Sequence, residues 1–142
     1  MSTDEAREII RGAGYGMLAT DIDGQPRVRP MAFAVTDDFR LLSSTFRRSG
    51  KAKELAGNGR VEVCFLDGRK FQLRVEGLAD VSGGPAKKRE LLTLNPGVRK
   101  HFKDEHDPEF VLIEIVPTRA RWMPPGFGEY RDVELPHAGG RR

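Results

Sequence analysis

The chain has 142 residues, with 24 Lys+Arg against 21 Asp+Glu for a net charge of +3, and an apolar fraction of 38%. That length fits one domain, the excess charge is too small for a dedicated nucleic-acid arm, and no apolar run approaches the ~20 residues that a membrane helix needs. The low apolar fraction predicts a thin core, which a second chain or a bound cofactor would complete.

The opening segment reads as a helix. Ser2-Thr3-Asp4-Glu5 has the spacing of a capping box, Ile9 and Ile10 supply an apolar face, and Gly12 and Gly14 end it. Strand-like runs follow. Tyr15–Ile22 is a first strand, Asp23-Gly24 a hairpin turn, Arg27–Thr36 a second strand and Phe39–Thr45 a third. Their short connections predict a β-meander. Ser49–Ala56 reads as a short helix with Ser49 at its N-cap. Arg60–Leu66, the Asp67-Gly68 turn and Lys70–Val81 form the next hairpin. Pro85 opens an amphipathic helix through Leu94, stopped by Asn95-Pro96, and a helical turn is expected over Val98–Lys103. Glu109–Trp122 is the last strand, with Pro117 marking an edge or bulge. Met123–Arg142 is expected to be irregular, with residues 137–142 a disordered tail beyond a single domain of residues 1–136. Six strands with short turns suggest a closed antiparallel barrel with helices outside it.

The chemistry concentrates in three places. On the second strand, alternation puts Arg27, Arg29, Met31 and Phe33 on one face and Val28, Pro30, Ala32 and Ala34 on the other. Pro30 removes a ladder donor, so something other than a strand should lie beside it. This pattern reads either as a solvated edge strand or as an anion site next to a flat apolar ligand. The third strand ends in Ser43-Ser44-Thr45, and Arg47, Arg48, Ser49, Gly50, Lys51 and Lys53 follow. Helix-start N–H groups with Ser49 and Lys51 are what a phosphate monoester needs, although such a charge run also suits a solvated face. On the fifth strand Gln72 and Arg74 share a face, and an amide there can offer a donor and an acceptor to a heterocycle edge.

Taken in order, Arg29-Pro30-Met31-Ala32-Phe33-Ala34, Ser44-Thr45, Ser49-Gly50-Lys51-Ala52-Lys53-Glu54-Leu55 and Gln72-Leu73-Arg74-Val75-Glu76-Gly77 resemble the pyridoxamine 5′-phosphate oxidase-like superfamily. The resemblance implies a mainly β fold, a six-stranded Greek-key split barrel that binds FMN and pairs as a homodimer with the flavin at the subunit interface. It implies that Arg29 binds the FMN phosphate and that Pro30, Met31 and Ala32 run beside the ring. Ser44 and Thr45 would touch the phosphate–ribityl side, Ser49, Gly50 and Lys51 would form the phosphate clamp, and Gln72 would bond the polar edge of the ring. Trp122 and Arg131 are assigned to a second subunit's contribution. Departures argue against oxidation of pyridoxamine phosphate itself. Gly50 stands where the clamp has an arginine, Ala34 stands where the strand motif ends in a lysine, and no R-L-H-D-R-type segment follows Trp122. The chain looks more like the short, general-stress-type members. The expected function is hydride or electron transfer through the flavin, with a small molecule or NAD(P)H as partner and no assigned general acid or base.

Other readings are weaker. The same barrel could take deazaflavin F420 or haem, with His101 the haem ligand of choice. Nucleic-acid binding through Arg47, Arg48, Lys51, Lys53, Arg69 and Lys70 suffers from the scarcity of interleaved aromatics. His101 and His106 beside Asp104, Glu105 and Asp107 lack the H-E-x-x-H spacing of a metal site. Cys64 reads as a buried, inert thiol, and Gly12–Gly16 does not match a dinucleotide fingerprint. The single cysteine excludes an internal disulfide and fits a cytoplasmic setting, as does the absence of an apolar stretch after the acidic Met1–Glu5.

Overall fold

The computed structural model describes residues 1–126 and 128–136, so the expected tail over 137–142 lies outside the described residues. Helix α1 spans Thr3–Ala13, and its capping box forms as expected. Ser2 Oγ accepts from the Glu5 N–H at 3.2 Å, and Glu5 Oε1 accepts from the Ser2 N–H at 3.1 Å. Ala6, Ile9 and Ile10 face inward and join Leu18, Phe39, Phe65 and Leu73 in the main core.

Strands β1 (Gly16–Ile22) and β2 (Gln25–Met31) form a hairpin. Its Asp23 and Gly24 both have positive φ, 52° and 84°, which matches the right-handed twist of the flanking strands. The expected second strand over Arg27–Thr36 is in fact two pieces, because β3 is only Ala34–Val35. The cause lies in the partners. β1 ends at Gly16, opposite Met31, so the ladder to β1 stops there. The chain then turns through Ala32-Phe33 and pairs instead with β4 (Leu41–Phe46). The Ser43 hydroxyl donates to the Ala32 carbonyl at 2.7 Å and ties down the break. The expected meander order is kept, with the second strand paired to β1 through β2 and to β4 through β3, but the strand is bent between the two halves and β4 never pairs with β2 itself.

Helix α2 (Gly50–Gly57) precedes the hairpin of β5 (Arg60–Leu66) and β6 (Gln72–Asp80); α3 (Pro85–Leu94) then leads into a 3₁₀ helix. That helix covers Pro96–Lys100, ahead of the expected Val98–Lys103. Strand β7 (Phe110–Met123) serves two partners. Phe110–Ile115 pairs with β4, and Glu114–Met123 pairs with β6. The bulge expected at Pro117 appears opposite Glu76/Gly77. Gly77 is required there, since a Cβ would lie 2.7 Å from the Val116 carbonyl oxygen. A short β8 (Arg131–Asp132) pairs with Trp122 and Arg121, so the segment after Trp122 is less irregular than its composition suggests.

The hydrogen-bonded path runs β2-β1-β5-β6-β7-β4-β3, antiparallel throughout. Among the described residues no ladder closes it into the ring expected from the sequence. Its two ends are joined instead through the chain at Ala32-Phe33, which makes a split barrel of six strands when β2 and β3 are counted as one bent strand. The sheet buries both faces of β4 and β7. Leu41, Ile113 and Ile115 point into the main core, while Leu42, Phe110 and Leu112 meet Leu91, Leu92, Val98 and Phe102 of the α3 corner in a second one.

Candidate functional site

The break between β2 and β3 opens a cleft of about 530 Å³, inside the range of about 300–1,000 Å³ usual for small-molecule sites. Pro30, Met31 and Ala32 form one wall, and Ser43, Ser44, Thr45 and Phe46 of β4 form the floor. Lys51 enters from α2. Leu91 of α3, Asn95 at its C-cap, Gly97, Val98 and Lys100 of the 3₁₀ helix, and His101 and Phe102 close the far side, with Tyr15 at the mouth. The lining carries two lysines and no carboxylate, so its field favours an anion.

The structure thus brings Pro30, Met31, Ala32, Ser44, Thr45 and Lys51 onto one cleft from three separate segments. Ser49 is the N-cap residue of α2, yet its hydroxyl bonds Thr45 Oγ1 at 2.7 Å and does not cap the helix. The first turn of α2 therefore keeps its N–H groups without a side-chain acceptor. Gly50 opens that turn. Arg29 does not line the cleft. Its guanidinium donates to Thr20 Oγ1 at 2.9 Å and reaches Glu54 Oε1 of α2 at 3.4 Å.

Gln72 and Trp122 also lie away from this cleft, at the far ends of β6 and β7. The Gln72 amide oxygen accepts from the Tyr130 hydroxyl, and the Tyr130 ring sits between the guanidinium groups of Arg74 and Arg121, 5.0 and 5.3 Å from its centre. Hydrogen bonds to Glu62 and Tyr130 hold the Arg74 guanidinium above its ordinary pKa. Trp122 stacks on Phe71 and under Arg131, which brings Trp122 and Arg131 together, and its indole Nε1 is buried with no partner among the described residues. Such an orphaned donor is where an added acceptor would be welcome.

Sequence reading passed over Tyr15, Asn95, Lys100 and Phe102 as cleft residues. Asn95-Pro96 was legible only as a helix stop, and nothing in its local pattern says that the stop faces a cleft. The acidic stretch near His106 organises its own loop: Asp104 accepts from the His106 N–H, and Asp107 from the Lys103 and Glu109 N–H groups. Cys64 is half-buried rather than buried as expected, because it points to the face opposite Val63 and Phe65, and the partial burial raises the pKa of its thiol.

The donors present fit a phosphorylated planar cofactor. The Ser44 and Thr45 hydroxyls and the Lys51 ammonium share the cleft with an apolar strip of Pro30, Met31 and Ala32, whereas Ser49 and Gly50 at the start of α2 lie outside its lining. The family model for pyridoxamine 5′-phosphate oxidase matches residues 2–123. The chain belongs to that family. Among solved structures, this family member is similar to general stress protein 26 from Bacillus anthracis str. Sterne. That match has 28% identity and a TM-score of 0.71, and covers 91% of this chain and 96% of the other. A pyridoxamine 5′-phosphate oxidase-related, FMN-binding protein from Nostoc punctiforme PCC 73102 shares the fold at 19% identity and TM-score 0.70, covering 92% and 86%. A heme-binding protein from Mycobacterium smegmatis shares it at 17% identity and TM-score 0.76, covering 96% of this chain and 59% of that one. Comparison with curated proteins finds no match. Among the described residues, no helix is long and apolar enough to cross a membrane.

Proposed function

We propose that the chain binds FMN in this cleft and works as a flavin-dependent oxidoreductase on a small molecule other than pyridoxamine phosphate. One observation carries the reading: Pro30–Ala32, Ser44–Thr45 and Lys51, distant in sequence, meet on a single carboxylate-free cleft. Lys51 and the Ser44 and Thr45 hydroxyls would hold the phosphate–ribityl end. Met31 and Ala32 would lie along the ring, and Asn95, the C-cap of α3, would offer an amide from the far wall. Bound FMN would supply the two-electron redox chemistry, and the protein would supply anchoring, orientation and a positive field.

A homodimer belongs to the same proposal. Met17, Val28 and Leu66 are exposed on the outward face of the consecutive strands β2, β1 and β5, next to Pro30 and Tyr15 of the cleft mouth. Contiguous exposed apolar surface of this kind marks an interaction site. A second copy seated there would cover the cleft, and the low apolar fraction would be completed by that contact. Because Gln72 and Trp122 lie off their own chain's cleft, the proposal assigns them to the flavin held by the other subunit. A cytoplasmic setting, with NAD(P)H as the electron donor, completes this reading.

Titrating the purified protein with FMN, read by quenching of flavin fluorescence and by the visible absorbance bands, tests it. The Lys51→Ala variant should bind about 10- to 150-fold more weakly, the equivalent of losing one charge-assisted bond of ~1.5–3 kcal/mol. No binding at micromolar FMN, or unchanged affinity in Lys51→Ala, would overturn the assignment.

Haem is a second reading, because His101 lines the same cleft and its ring meets Phe46 edge-on, with centroids 6.3 Å apart. A Soret band that appears with hemin and is lost in His101→Ala would favour it. The same titration with deazaflavin F420 distinguishes the third cofactor.

A further inference from the structure

The far wall of the cleft carries charge that the proposed anchoring by Lys51, Ser44 and Thr45 does not use. Lys100 ends the 3₁₀ helix and His101 follows it, and both line the cleft. The carboxylates nearest to them in sequence are engaged elsewhere. Glu105 pairs with Arg89 at 3.3 Å, Asp104 accepts the His106 N–H, and Asp107 accepts the Lys103 and Glu109 N–H groups. Among the described residues Lys100 makes no ion pair, and no carboxylate lines the cleft.

The donors on this wall are of one kind. The Asn95, Val98 and His101 N–H groups are spent on the Leu91, Asn95 and Val98 carbonyls at 2.8, 3.1 and 3.0 Å. At those positions only side chains are left to meet a ligand, and Lys100 adds a single ammonium. A phosphate monoester, with a charge of about −1.5 to −2 and three strong acceptor oxygens, calls for several N–H donors or an arginine fork. One ammonium beside an imidazole suits a singly charged carboxylate instead. Next to them lies an aromatic surface. Phe46 packs on Phe102 with centroids 4.9 Å apart and meets the His101 ring edge-on, and Arg48 covers Phe46 at 4.5 Å, so these rings are held in place.

We propose that the far wall is the substrate subsite and selects small, flat monocarboxylates, with Lys100 as the specificity-determining residue that reads the charge. The apolar body would lie against Phe46 and Phe102 and the carboxylate at Lys100. This assignment depends on the cofactor being anchored at Lys51, as proposed above, and it gives the small-molecule partner a chemical class, an organic acid.

The probes are benzoate and benzamide, which share a shape and differ in charge. Each is titrated by calorimetry into the FMN-loaded protein and into its Lys100→Gln and Lys100→Arg variants. Lys100 is exposed, so neither substitution disturbs the core. Benzoate should bind the wild type at least about tenfold more tightly than benzamide. That preference should vanish in Lys100→Gln and return in Lys100→Arg. Equal binding of the two probes, no binding of either, or a preference that survives Lys100→Gln would overturn the proposal. So would a loss of FMN affinity in Lys100→Gln as large as in Lys51→Ala, which would make Lys100 part of the cofactor's anchor. If FMN itself does not bind, the flavin reading fails separately, and the same titrations on the protein alone decide the role of Lys100.

Discussion

Replacing Glu114 with alanine tests how the α3 wall of the cleft is held. Glu114 projects from β7, 4% exposed, and receives Arg40 Nη1 at 2.5 Å and Lys87 Nζ of α3 at 2.7 Å. Arg40 also bonds Glu90 of α3 at 2.8 Å and Asp38 at 3.0 Å. Burial works against the Arg40 guanidinium, but its bonds to Glu114, Glu90 and Asp38 hold its pKa above the ordinary value. Removing one partner of a fully buried pair costs about 3–5 kcal/mol. Here the Arg40 and Lys87 side chains are 19% and 48% exposed and Arg40 keeps two carboxylates, so the orphaned cations recover part of their hydration. The discounted cost is ~2–3 kcal/mol, or roughly 4–12 °C in melting temperature for a domain of this size. Urea unfolding followed by circular dichroism measures it, with Glu114→Gln as a companion that keeps the shape and loses the charge. A loss below ~0.5 kcal/mol in Glu114→Ala would refute the reasoning, because the network would then be worth no more than an exposed ion pair.

Asp67 is buried in the β5–β6 turn, where burial raises its pKa but bonds from the Arg69 guanidinium and the Phe71 N–H outweigh this and lower it overall. A carboxyl lowered on folding stabilises above its unfolded pKa of about 3.9 and loses that contribution as pH falls through the folded value. Asp67→Asn should therefore lower stability at pH 7 and flatten its decline below about pH 4, as acid-titrated melting temperatures will show. Gly77→Ala forces a methyl against the Val116 carbonyl and the Ile115 side chain, which lie 2.7 and 2.8 Å from the added carbon, and should cost ~1–3 kcal/mol in chemical denaturation. A neutral result would mean that the bulge at Pro117 yields freely. Val28→Asp places a charge on the exposed apolar face and should shift the protein toward monomer in sedimentation velocity while the far-ultraviolet spectrum is retained. An unchanged sedimentation coefficient would place the dimer contact elsewhere or remove it.

Much of this protein is local. The Ser2–Glu5 capping box, the Asp23-Gly24 turn, the bulge at Pro117 and the strands β1, β4, β5, β6 and β7 follow from short-range rules of capping, turn geometry and alternation, so they are legible along the chain. That Ser44, Thr45 and Lys51 lie near one another is legible for the same reason, because they sit within one strand end and one helix start. Partner choice is not local. Arg27–Thr36 looks like one strand because nothing in its alternation shows that β1 ends opposite Met31 and that β4 takes over at Ala34. That switch breaks the ladder and opens the cleft. The far wall depends on the second core, in which Leu42, Phe110 and Leu112 hold α3 and so bring Asn95, Lys100 and His101 to face Lys51. Composition shows a thin core and a small positive charge. Only the tertiary structure decides where they act, because cleft walls, ion-pair partners such as Arg29 and Glu54, and exposed apolar strand faces all depend on which distant segments pack together.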